Sequence, residues 1–143
     1  MKNISRLIVA LGLTLGTAAC GTQWTGNYNG SWSGSVAATQ FTYPAMAMTL
    51  YQSGSNVNGY WLATGAAGNT APASGQLQGT VSGSTLTATF NIPAYETSVP
   101  STSSAAGTLT GTLTLSSSNL TGTLTGSVTQ GTVTSTVNLT QTR

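Results

Sequence analysis

The sequence predicts an all-β protein, in which eight antiparallel strands form an up-and-down meander that closes into a barrel. Three observations predict this fold. Apolar and polar residues alternate along most of the chain after residue 23, which is the period of a half-buried strand. Short turn sequences separate many of these segments, and the other connections are too short for parallel crossovers. A two-layer sandwich uses the same alternation and stays open as the alternative.

The first predicted strand, 24–34, has an aromatic face and a polar face. Trp24, Tyr28 and Trp32 alternate with glycines on one side, and only Thr, Asn and Ser occupy the other side. Glycines between the rings let a strand bend and let a neighbouring strand come close. We therefore expect this strand to begin a closed or strongly curled sheet.

Four short turns set the register that the sequence predicts. They are placed at Gly54-Ser55, Gly83-Ser84, Ser117-Ser118 and Gln130-Gly131. Each turn brings the apolar positions of two strands onto one face, and a slip of one residue would reverse every face. The last strand is expected to pair with the first. The opposed pairs that follow are Leu50–Gly59, Met48–Trp61, Val81–Leu86, Leu77–Phe90, Leu113–Gly122, Gly122–Leu139, Gly111–Leu124 and Leu124–Val137.

The N-terminal residues 1–19 have the layout of an export signal. Lys2 and Arg6 give a positive start, residues 7–15 form an apolar centre, and small residues then lead to Cys20. The apolar centre is too short for a membrane-spanning helix. The sequence therefore predicts that this segment directs the chain out of the cytoplasm and is removed.

The motif Thr17-Ala18-Ala19-Cys20 resembles the lipobox of bacterial lipoproteins, although that family usually has Leu where Thr17 stands. The resemblance implies that Cys20 is acylated, for example with palmitate, and that residues 20–23 form a short tether ahead of a barrel domain at 24–143. Acyl chains add about 0.8 kcal/mol of membrane affinity per buried methylene. Gly21 implies delivery to an outer membrane in a cell that has one. Ordinary cleavage after Ala19 is the alternative, and it would leave an unpaired thiol.

The composition excludes several classes of function. Only 3% of residues are charged, against about 25% in ordinary proteins. Once Lys2 and Arg6 are removed, Glu96 and Arg143 remain and no basic patch exists, so we expect no nucleic-acid partner. The chain has no His and no Asp, which rules out a Ser-His-Asp triad, paired carboxylates and a Cys/His metal site within one chain. We expect no enzyme activity, cofactor or metal.

Loop lengths indicate where a ligand would enter the barrel. Three tight turns lie at one end, whereas longer connections are expected at the other end, over 35–45, 65–74 and 93–106. Phe41, Tyr43, Tyr95 and Glu96 belong to those connections. The interior aromatic residues are expected to pack as a core and Glu96 to be exposed to solvent, and ligand contact is the alternative for both. The candidate ligand-contacting residues are Trp24, Tyr28, Trp32, Met48, Trp61, Phe90, Tyr43 and Tyr95.

Gly30-Ser31-Trp32 in the first strand, together with eight alternating strands, resembles the calycin group of lipocalins and avidins. Similarity to lipocalins implies an apolar pocket for a small molecule, and similarity to avidins implies a biotin site. The avidin contacts to biotin include an Asp, which this chain lacks. The lipocalin Arg that packs under the Trp has no counterpart except the terminal Arg143.

Three functions compete at this point. The first is a membrane-tethered binder of a small apolar or amphipathic molecule. The second is a structural or adhesive surface module whose barrel is fully packed. The third is a small transmembrane barrel with its apolar face in lipid, although such barrels carry aromatic girdles at both interfaces and here the aromatic residues concentrate in the first third. The sequence does not indicate an oligomeric state.

Overall fold

The computed structural model describes residues 23–65, 72–93 and 106–142. Each strand pairs antiparallel with the next, and the eighth pairs with the first, so the sheet is a closed barrel as predicted. No helix among the described residues is long and apolar enough to cross a membrane. The strands are β1 Gly26–Val36, β2 Thr39–Ser53, β3 Asn56–Thr64, β4 Ala73–Ser82, β5 Thr85–Ile92, β6 Gly107–Ser116, β7 Asn119–Val128 and β8 Gly131–Thr142.

The barrel has two ends with different connections. One end, which we call the base, contains the predicted two-residue turns at 54–55, 83–84 and 117–118. The other end, the rim, contains the turns at 37–38 and 129–130. β3 and β5 also end at the rim, and β4 and β6 begin there, which is the end where the sequence predicted the two longer connections. Parts of these connections, including Tyr95 and Glu96, fall outside the described residues, as does Cys20.

Apolar side chains fill the interior, and threonine dominates the outer face. On β6, β7 and β8 the inward positions are mainly Leu and Val, while nearly every outward position is Thr, Ser or Asn. Ser135 is the one buried polar side chain among the described residues, and its hydroxyl donates a hydrogen bond to the carbonyl oxygen of Leu124 at 3.3 Å. The alternation in the sequence therefore reports the two faces of the wall directly.

The predicted long connection over 35–45 is wrong. β1 and β2 form one long hairpin, joined by Ala37 and Ala38 with φ angles of 45° and 69°. Positive φ at both central residues is the geometry of a type I′ turn, for which Gly and Asn are the usual residues. The amide of Ala37 also donates to the carbonyl of Thr132 at 3.2 Å, which ties this turn to β8.

A β-bulge interrupts this hairpin. Gly30 lies opposite Met46, but Trp32 lies opposite Tyr43, so two residues of β2 face the single Ser31. One of the two is Pro44, which lacks the N–H that a regular ladder position would use. Because of the extra residue, the side chains of β2 that point inward are at odd positions before the bulge (Phe41 and Tyr43) and at even positions after it (Met46 and Met48).

The predicted register between β7 and β8 is also wrong by two residues. The turn is Thr129–Gln130 rather than Gln130-Gly131, so Leu124 lies opposite Ser135 and not Val137. Both the amide and the hydroxyl of Thr129 donate to the carbonyl of Ala106, at 2.8 and 3.1 Å, which holds Thr129 in the turn. A shift of two residues keeps the same faces, so the apolar side of β8 still points inward.

The other partner of Gly122 changes for the same reason. Gly122 lies opposite Leu113 as predicted, but on β8 it faces Val137 instead of Leu139. The remaining predicted pairs across the base turns and within β6–β7 are confirmed.

Candidate functional site

The base of the barrel is closed by Trp24, which lies just before β1 and is fully buried. Its indole Nε1 donates to the carbonyl of Gly83 at 3.4 Å, and its backbone amide donates to Gln52 Oε1 at 3.0 Å. The Tyr28 hydroxyl donates to the Trp24 carbonyl at 3.0 Å. Every polar group of this tryptophan therefore has a partner within the chain.

Two further bonds hold the segment that carries Trp24 in place. The hydroxyl oxygen of Thr25 accepts a hydrogen bond from the backbone amide of Gln52 at 2.9 Å. The carbonyl of Thr25 accepts a bond from Gln141 Nε2 at 3.5 Å. Burial raises the pKa of the Tyr28 phenol above its ordinary value, as expected for a hydroxyl removed from water. The residues that close the base are thus held in place by hydrogen bonds within the chain.

An aromatic cluster occupies the half of the interior nearer the rim. Trp32 lies at its centre, stacked on Tyr43 with ring centroids 5.4 Å apart and edge-on to Trp61 at 5.3 Å. Phe41 packs edge-on against Trp32 at 5.0 Å, and Phe90 lies 6.1 Å from Trp61. These spacings are in the favourable range for aromatic pairs. We call these five residues the upper aromatic cluster.

Two polar groups of the upper aromatic cluster have no hydrogen-bond partner among the described residues. Nε1 of Trp32 and Nε1 of Trp61 are both buried, and neither donates to an acceptor in that part of the chain. Leaving a buried donor unpaired costs about 1–3 kcal/mol. Because almost all buried polar groups in proteins are paired, two neighbouring exceptions require an explanation. An acceptor atom of a bound molecule would satisfy them.

Small residues lie beside the Trp61 ring on its β4 side. On β4, Gly75 lies opposite Trp61, and nearer the rim Ala63 lies opposite Ala73. A side chain at Gly75 would meet both the carbonyl oxygen of Asn91 and the Trp61 ring. The indole is therefore seated against backbone on this side. Between this ring and the rim, the inward-facing side chains of β3 and β4 are the methyl groups of Ala63 and Ala73.

The structure brings together only part of the predicted set. Trp32, Tyr43, Trp61 and Phe90 lie in the upper aromatic cluster, and burial raises the pKa of the Tyr43 phenol. Trp24 and Tyr28 belong to the base, and Met48 lies between the two groups, opposite Tyr28 on β1 and Trp61 on β3. Tyr95 lies outside the described residues.

The prediction missed Phe41 as an interior residue. It was assigned, with Tyr43, to a rim connection, but the bulge at Pro44 turns both rings into the barrel. The signal was present in the sequence. Phe41 and Tyr43 occupy odd positions whereas Met46 and Met48 occupy even ones, and a proline stands between the two sets.

The upper aromatic cluster offers aromatic surface and two N–H donors, and the described residues contain no charged side chain. Those residues also contain no group of three His, Cys, Asp or Glu side chains that could hold a metal. The chain matches no protein-family model, and no curated protein is significantly similar to it. Function is therefore inferred from the barrel's own geometry.

Proposed function

We propose that this protein is an exported, lipid-anchored, non-enzymatic barrel that binds a small, largely apolar molecule carrying a hydrogen-bond acceptor. The observation that carries the proposal is the pair of buried indole N–H groups of Trp32 and Trp61, which have no acceptor among the described residues. They belong to adjacent rings whose centroids are 5.3 Å apart. The occupant is expected between the upper aromatic cluster and the rim.

The unpaired donors favour ligand binding over plain packing as the role of the interior. A barrel interior that serves only as a core gains nothing from an indole N–H that it leaves unsatisfied, because phenylalanine or leucine packs there without that cost. Ligand sites typically combine aromatic walls with a few polar groups that fix orientation. No cation lies among the described residues, so a neutral acceptor such as an ester or ketone oxygen suits the site better than a carboxylate.

The lipid anchor is proposed from the sequence around Cys20, with the cell envelope as the location and the outer membrane as its site in a diderm cell. The outer wall of the barrel supports this arrangement, because its threonines, serines and asparagines suit contact with water. A transmembrane barrel needs an apolar band on its outer face instead. The closed eight-stranded antiparallel barrel is compatible with a calycin-like fold, and the lipocalin-like assignment is part of the proposal.

The test is native mass spectrometry of the chain carrying Cys20→Ser. This variant should be recovered without detergent. The protein with the native Cys20 should need detergent, because the acyl chains on Cys20 would hold it in the membrane. We expect an extra mass that organic extraction removes. After extraction, methyl laurate should bind at least about tenfold more tightly than dodecane, because only the ester has an acceptor; tenfold corresponds to ~1.4 kcal/mol.

The matched variants are Trp32→Phe with Trp61→Phe, which removes both donors, and Trp24→Phe, which removes the paired indole at the base. The first should abolish the preference for the ester, and the second should leave it unchanged. A folded protein that takes up neither probe would contradict the binding proposal and favour the packed structural or adhesive module. Equal binding of ester and alkane would contradict the role of the two indoles.

A further inference from the structure

One part of the outer wall differs from the rest. Elsewhere the outward positions are dominated by threonine, but on β2 and β3 two tyrosines are exposed, Tyr51 by 55% and Tyr60 by 60%. They line a surface groove of about 480 Å³ together with the amide side chains of Asn58, Gln76 and Gln78. Aromatic rings and amides therefore share one concave surface.

The strand register explains how these side chains meet. Tyr51 lies opposite Asn58, Asn58 lies opposite Gln78, and Tyr60 lies opposite Gln76. The two tyrosines are thus diagonal neighbours across β2 and β3, a separation that aromatic side chains can bridge. All five side chains point away from the interior.

The floor of the groove is backbone. Gly59 and Leu77 also line it, and they lie opposite each other on β3 and β4. Gly59 has no side chain, and the Leu77 side chain is buried in the barrel. The groove is therefore separated from the interior by one layer of sheet, so it is a second site and does not depend on the ligand proposed above.

The chemistry of the groove selects the class of partner. Each amide offers both donors and an acceptor, which suits hydroxyl groups, and an exposed ring offers a flat apolar face to C–H groups. Lys2, Arg6, Glu96 and Arg143 are the charged residues of the chain, and none is among the described residues, so phosphate-rich partners have no cation to bind here.

A peptide partner is also disfavoured by the topology. A peptide that adds a strand needs a free sheet edge, whereas β2, β3 and β4 are each paired on both sides. We propose that this wall, lined by Tyr51, Asn58, Tyr60, Gln76 and Gln78, binds a neutral carbohydrate chain, with sugar rings against the tyrosines and hydroxyls on the amides. An anchored barrel would then hold a polysaccharide beside the membrane.

The test is isothermal titration calorimetry of the Cys20→Ser chain with hydroxyethylcellulose, dextran, laminarin or galactomannan. We expect at least one polymer to bind with the same affinity at low and high salt. Tyr60→Ala should weaken binding by about tenfold or more, whereas Tyr60→Phe should keep most of it because the ring remains. Leu62→Ala is the matched control, since Leu62 is 47% exposed on the same strand but does not line the groove.

Three results would overturn the proposal. The first is that no neutral polymer binds the folded protein. The second is that Leu62→Ala weakens binding as much as Tyr60→Ala, which would indicate a general apolar patch. The third is concentration-dependent self-association in analytical ultracentrifugation that Tyr60→Ala abolishes, because a second copy of the chain would then occupy this wall.

Discussion

The chain has three tryptophans, and they differ in a way that burial does not explain. At the base, the Trp24 indole donates to Gly83 and the Trp24 carbonyl accepts a bond from Tyr28. Nearer the rim, Trp32 and Trp61 are almost as deeply buried, yet their N–H groups have no acceptor among the described residues. The polar groups of Trp24 all bond to atoms of the chain itself. The ligand that we propose would supply the acceptor that the two upper indoles lack.

The largest expected effect comes from removing the closure at the base. Trp24→Ala deletes a fully buried indole and its hydrogen bond to Gly83, so we expect the free energy of unfolding to fall by about 3–5 kcal/mol. Urea denaturation of the Cys20→Ser chain measures this loss. Tyr60→Ala, at an exposed position, should change stability by less than about 0.5 kcal/mol. A loss below ~1 kcal/mol for Trp24→Ala would mean that the base does not depend on this residue.

A series of Trp→Phe variants sharpens the comparison, because each loses the same ring volume. Trp24→Phe also breaks the hydrogen bond to the carbonyl of Gly83, whereas Trp32→Phe and Trp61→Phe remove donors that have no acceptor among the described residues. In ligand-free protein, the two upper variants should therefore be less destabilised than Trp24→Phe by about 1–3 kcal/mol. Chemical denaturation of all three checks this order. Equal losses would remove the energetic distinction between the two regions.

The smallest expected effect is that of pH on the free energy of unfolding, and it is absent near neutral pH. Burial raises the pKa of Tyr28 and of Tyr43 above 10.0, so the folded state keeps these protons at pH values where the unfolded chain releases them. The stability they contribute is fully present below the unfolded pKa and is lost as pH rises through the folded one. We expect the free energy of unfolding to decline only above about pH 10.

Two single variants assign this alkaline decline to the two regions. Tyr28→Phe should remove the part that belongs to the base, and Tyr43→Phe the part that belongs to the upper aromatic cluster. Denaturation at a series of pH values measures both. A steep decline that neither variant reduces would show that other groups cause it.

The strands and their closure were predictable because both faces of a barrel wall follow a period of two. Turns at Gly54, Gly83 and Ser117 were found because glycine or serine stood where alternation paused. The turn at Ala37–Ala38 was missed, since alanine gives no signal for positive φ. Gly131 misled the prediction of the last turn because this residue belongs to β8, where its φ is 137°.

The upper aromatic cluster was predictable in part. Alternation predicted that Trp32, Trp61 and Phe90 lie inside. The inward positions of Phe41 and Tyr43 follow only once the bulge, which changes the inward positions of β2 from odd to even, is taken into account. The unpartnered N–H groups could not be predicted, because they depend on which acceptors the other strands bring within reach. The groove on the outer wall was not predicted, because the apolar alternation identifies the inward face of each strand and gives no signal for outward tyrosines.

Closure of β8 onto β1 has a consequence for aggregation. An open sheet exposes edge strands whose free N–H and C=O groups pair with other chains, and proteins commonly protect such edges with lysine or proline. The outward faces of these strands carry no charge, so the ladder between Asn27–Val36 and 133–142 provides the protection instead. Since this pairing joins strands from opposite ends of the domain, it forms across the longest loop in the fold. A sheet of β1 to β7 without β8 would present two uncharged edges, at which self-association would compete with closure.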